Sequence, residues 1–120
     1  MATSEIRRLW DRIIQIGPHP IVGLRQDLTI HHCHGGSLKD IGVHRCLGKK
    51  PSDYLTICLP ARFHVGEKGI DSGYGVIRWE KDYTTQVNLL IWTSKKLEVN
   101  LFRKAGYSIP ITGEDKWPEA

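Results

Sequence analysis

Paired cysteines are missing from this chain. Cys33, Cys46 and Cys58 are odd in number and form no CxxC pair, so a disulfide framework is not expected and a reducing, cytoplasmic setting is. Each cysteine taken alone reads as a small buried hydrophobe. Long apolar runs are missing as well. None reaches the roughly 18–20 residues of a membrane span, which excludes a transmembrane helix. Met1 to Arg12 mixes acidic and basic residues where a signal peptide needs an apolar centre, so no secretory leader is expected. There is no internal repeat and no low-complexity tract. Aromatic residues make up only 8 % of the chain and give no independent sign of base stacking; Trp79 and Trp92 are expected in the core.

What is present is ordinary globular composition. The 120 residues are 40 % hydrophobic and 25 % charged, enough for a single domain over 1–120 with one modest core. The net charge of +4 suits a polyanionic partner, although a mild excess of lysine and arginine is equally a solubility feature.

Ser4 as N-cap and Ile6, Leu9, Trp10, Ile13 and Ile14 at helical spacing predict an opening amphipathic helix, stopped by Gly17-Pro18. Leu28 to His31 reads as a short strand, and Tyr54 to Leu59 as a second. Between them, about Cys33 to Asp53, lies a glycine-containing loop long enough to suggest a functional role. Pro60 opens a short helix over Ala61 to Lys68, closed by Gly69 and carrying His64. An amphipathic piece follows around Val76 to Tyr83. A long helix is expected from about Thr85 to Ala105, with Val87, Leu90, Ile91, Leu97 and Leu101 on one face. Gly106 caps it, and residues 112–120 read as a loose tail.

The most informative feature is the doublet His31-His32 at the end of the first strand, answered by Asp53 and His64. Neutral imidazoles and a carboxylate are what a divalent metal needs to activate a phosphodiester. Adjacent strand residues face opposite ways, so one histidine of the doublet suits a metal while the other suits activation of water. Plainer readings stand beside these: a histidine doublet is often loop composition, and Ser52-Asp53 after Pro51 has the look of a turn. Cys33, His34, His44 and Cys46 match no metal-ligand spacing.

Ile30-His31-His32, two following glycines, Lys50-Pro51-Ser52-Asp53, Ile57-Cys58-Leu59 and Phe63-His64 together resemble the HNH nuclease core. With Gly75 to Glu80, Tyr83, Thr85, Gln86, Leu89 and Leu90, the chain is most similar to the phage and prophage Ref-like, RecA-dependent subgroup, over about residues 17–92. The resemblance implies an α+β fold: a small ββα-metal finger flanked by the N-terminal helix and the long C-terminal helix. It implies a metal-dependent DNA endonuclease linked to recombination. His32 falls at the general base, His31 and His64 at metal ligands, and Asp53 at the position that orients the base or contacts the metal. One Mg2+ or Mn2+ ion is implied. Many members carry flanking CxxC pairs for a structural zinc. Here Pro18, Ile21, Pro60 and Phe63 stand near those positions, so that zinc is expected to be absent. A RecA filament is implied as a partner.

Arg45, Lys49, Lys50, Arg62 and Lys68 surround the proposed site and are candidates for phosphate contact, with a solvated basic loop as the plain alternative. The competing function is a non-catalytic, DNA-binding recombination accessory protein that keeps the fold. A further alternative is a phage interaction protein whose histidines are structural.

Overall fold

A computed structural model of the chain describes residues 3–23, 25–43 and 52–108. Its centre is a two-stranded antiparallel sheet of β1 (Leu28–His32) and β2 (Thr56–Pro60). The register pairs Leu28 with Pro60, Ile30 with Cys58 and His32 with Thr56. Every residue of β2 is buried, as a near-continuous apolar run covered on both faces requires. The first strand is half-exposed except at His31.

Helix α1 (Ser4–Ile16) packs across both strands. Its N-cap is Thr3, not the expected Ser4: the Thr3 hydroxyl accepts from the Ile6 amide at 3.2 Å. Gly17, at φ 84°, ends the helix as expected. The loop after β1 holds a single helical turn, α2 (Ser37–Asp40). It is entered through Gly36 at φ 51°, where a Cβ would collide with the Glu80 carboxylate. That carboxylate explains the close approach, because it accepts from the Ser37 amide (2.9 Å), the Ser37 hydroxyl (2.6 Å) and the Gln86 amide (2.7 Å). Glu80 thereby satisfies otherwise unpaired donors at the starts of two helices.

The helix expected over Ala61 to Lys68 is only one turn long, α3 (Ala61–His64). The chain then doubles back: the Ile70 amide donates to Phe63 O and the Asp71 amide to His64 O. Gly69 allows this, since a Cβ there would stand 2.5 Å from the His64 carbonyl oxygen. Lys68 therefore lies in a reversing turn and not one helical turn beyond His64. Helix α4 (Val76–Asp82) seats Trp79 in the core at 0 % exposure.

The single long C-terminal helix is replaced by two. Helix α5 runs Gln86–Leu97, and α6 is the turn Leu101–Lys104. Glu98 takes a left-handed conformation (φ 58°), and Asn100 starts α6 by accepting from the Arg103 amide at 3.2 Å. Ser94 Oγ accepts from the Leu101 amide inside the break. The interruption seats Leu101 and Phe102 in the core at 0 % exposure. Apolar periodicity continues across it, which is why the pattern reads as one helix.

The architecture is thus a small α+β protein whose core lies between the sheet and helices α1 and α5. Among the described residues, no helix is long and apolar enough to cross a membrane. Thr85 caps α5 by accepting from the Asn88 amide at 3.1 Å. Thr85→Ala is expected to cost about 1 kcal/mol of stability in a urea titration.

Candidate metal centre

His31 and His32, adjacent on β1, make contacts on opposite sides of the strand. His31 is fully buried and its ring lies 5.0 Å from that of His64, centroid to centroid. His32 is partly exposed and packs edge-on to Trp10 of α1 at 5.5 Å. The strand pleat therefore creates two sites from one doublet.

The other site is formed by buried His31, partly buried His64 and exposed Asp71, whose ligand-type atoms lie within 4.8 Å of one another. Asp71 Oδ2 is 3.2 Å from His31 Nδ1 and 3.0 Å from His64 Nε2. Its other oxygen, Oδ1, is 2.8 Å from His34 Nε2. The carboxylate that meets the two imidazoles is Asp71, not Asp53. Asp53 precedes β2 on the other side of the strand, where its Oδ1 is 2.9 Å from His32 Nε2. Trp10 holds that second pair in place, its indole N–H donating to the Asp53 carbonyl at 3.2 Å.

The ring protons follow from their partners. Gln86 Oε1 accepts from the His34 amide (3.1 Å) while Gln86 Nε2 donates to the His34 carbonyl (2.8 Å). Those backbone groups allow one orientation of the amide, so the 2.9 Å contact from Gln86 Oε1 to His31 Nε2 requires an N–H on the histidine. The Thr29 hydroxyl donates its proton to the Leu59 carbonyl at 2.6 Å, leaving only its lone pairs for His64 Nδ1 at 2.9 Å. His64 must then carry its proton on Nδ1. In their neutral forms both histidines turn a lone pair toward Asp71 Oδ2.

Three lone-pair atoms facing one point repel unless positive charge lies among them. Burial lowers the pKa of His64, with neighbouring His31 the next cause, and this favours its neutral form. Burial would raise the pKa of Asp71, but hydrogen bonds and charge from His31 and His34 outweigh it and hold the group well below the usual carboxylate range. A hydrogen bond from His31 Nδ1 or His64 Nε2 to Oδ2 requires a second proton on that ring, whereas His34 donates its single Nε2 proton to Oδ1. A divalent cation supplies the same charge without a second proton, and two imidazoles with one carboxylate are a donor set that transition-type divalent ions accept.

Of the other predicted contacts, Arg62 on α3 and Lys68 in the following turn are exposed. Arg45, Lys49 and Lys50 lie outside the described residues, as do His44, Cys46 and the 112–120 tail. Cys33 and Cys58 are buried free thiols, with burial the main cause raising the pKa of each. Asp71 and Gln86 were not legible as site residues, because neither belongs to a local ligand spacing. The available hint was glycine at 66 and 69, the mark of a tight reversal that returns the chain to His64.

Compared with protein-family models, curated proteins and solved structures, the chain gives no significant match.

Proposed function

We propose that the protein is a metal-dependent DNA endonuclease of HNH type, with a ββα-metal core of β1, β2 and α3, akin to the Ref-like phage and prophage recombination nucleases. The observation that carries this reading is the convergence of His31 Nδ1, His64 Nε2 and Asp71 Oδ2 with their ring protons engaged elsewhere. His32, the next residue along the same strand, has a carboxylate of its own.

His31, His64 and Asp71 would hold a divalent ion, which would supply Lewis acidity toward a phosphodiester and its departing 3′-oxygen. Nitrogen donors outnumber oxygen in this set, which favours Mn2+ over Mg2+. His32 is the general base. Ionised Asp53 only accepts, so the proton it holds is on His32 Nε2. Nδ1 of His32 is then left to take a proton from water, and Asp53 stabilises the imidazolium that forms. Exposed Arg62 and Lys68 suit phosphate contact beside His64, and the +4 net charge suits a polyanion. The setting that goes with this reading is the cytoplasm of a bacterial host, with RecA-coated DNA as a candidate substrate.

Placement of His32 and His31 on opposite sides of β1 favours a second reading, a DNA-binding recombination accessory protein whose metal centre is structural. One experiment separates them. Supercoiled plasmid, single-stranded circles and RecA-coated DNA are incubated with protein in Mn2+ or Mg2+, with EDTA controls. Metal-dependent nicking, faster in Mn2+, is expected of the nuclease. DNA binding without cleavage on every substrate selects the accessory protein.

A further inference from the structure

The arrangement around the cluster is more ordered than three ligands alone require. Gln86 is 0 % exposed, and its amide is fully used: one end takes the His34 amide and His31 Nε2, the other donates to the His34 carbonyl. It stands at the first position of α5, where the Thr85 cap and the Glu80 carboxylate fix the backbone. Thr29 is held on β1 opposite Leu59, and its only proton goes to that residue's carbonyl. His34 occupies Asp71 Oδ1 at 2.8 Å, which leaves Oδ2 alone facing the imidazoles.

From this we infer that Gln86, Thr29 and His34 are positioning residues that preset a metal site before the ion arrives. Gln86 holds His31 as the Nε2–H tautomer, Thr29 holds His64 as the Nδ1–H tautomer, and His34 makes Asp71 a one-oxygen ligand. The inference rests on the metal-binding part of the proposed function, though not on cleavage. Its physical content is that the ion meets three oriented lone pairs and need not reorganise the rings. Outer partners of this kind typically change metal affinity by about 10- to 100-fold when removed. The two histidines are bound through different nitrogens, His31 by Nδ1 and His64 by Nε2. That asymmetry follows only from their partners.

The test uses the full chain and Zn2+ as a diamagnetic probe. Long-range 15N–1H spectra of the metal-free protein, taken above the imidazole titration range, are expected to show His31 protonated on Nε2 and His64 on Nδ1. Adding Zn2+ is expected to shift His31 Nδ1 and His64 Nε2 while the other ring nitrogens keep their protons. Thr29→Val is expected to return His64 to the commoner Nε2–H tautomer and weaken Zn2+ binding about 10- to 100-fold, with Thr29→Ser restoring both. Gln86→Met is the parallel change for His31, and the Thr29 pair answers the question should that buried substitution fail to fold. The opposite tautomers in the wild type, or undiminished Zn2+ affinity in folded Thr29→Val, overturn the preset site. The assigned tautomers without any binding of Zn2+ or Mn2+ overturn the metal reading beneath it.

Discussion

His32→Ala is expected to lower the rate of metal-dependent DNA cleavage by about 10²- to 10⁴-fold, the usual contribution of a positioned general base. Binding of Mn2+ is expected to survive. The His32 ring faces Trp10 and Asp53, whereas the converging ligands lie with His31 on the other side of the strand. The substitution removes a partly exposed ring, so its effect on stability should stay near the small values of surface changes. Cleavage by purified variant and wild type on the same plasmid, alongside Mn2+ titration by calorimetry, checks both halves. An unchanged rate would show that His32 is not the base. Equal loss of Mn2+ binding would show that the two faces of β1 are one site. Asp53→Asn belongs in the same series: it keeps a hydrogen-bond acceptor for His32 Nε2 but removes the charge that stabilises the imidazolium. A partial loss of rate with intact metal binding is the expected result.

Asp71→Asn is expected to weaken Mn2+ binding by on the order of 100-fold or more, beyond the range typical of outer partners. The cause is loss of the only negative charge in the cluster, which offsets the ion's own charge and orients His31, His34 and His64 together. Thermal unfolding with and without Mn2+ reads this directly. Wild type should gain stability with metal concentration, and Asp71→Asn should gain little. Asp53→Asn should behave as wild type in the same measurement. The reverse pattern, with Asp53 decisive and Asp71 dispensable, would return the ligand role to the carboxylate beside His32 and break the assignment of the centre.

Much of this was legible along the chain. The ends of α1 and β1 are written in local chemistry: a helix-stopping Gly17-Pro18, then a β-branched run ending in histidine. His31 and His64 stand out because a strand end and a following helix are the places from which such ligands meet. Their partner carboxylate was less accessible. Asp53 has the better sequence position, yet the pleat sends His31 and His32 to opposite sides and leaves Asp53 with His32. Asp71 reaches His64 only because Gly66 and Gly69 let the backbone reverse against α3, a close approach that a one-dimensional pattern does not encode.

The long-helix expectation fails for a related reason. Periodicity reports which faces are apolar, and it persists from Leu97 to Leu101 although the backbone breaks at Glu98. The break is set by the hydrogen bonds of Ser94 and Asn100 and by burial of Phe102, contacts formed once the core closes. Local spacing, capping and residue type are short-range and indicate where α1, β1 and β2 lie to within a residue or two and which imidazoles are available. Ligand choice, ring tautomer and the separation of the His32–Asp53 pair from the His31–His64–Asp71 cluster depend on residues 40 and 55 positions from His31, brought to it by packing. Only the tertiary structure decides those, because hydrogen-bond direction is a property of neighbours in space.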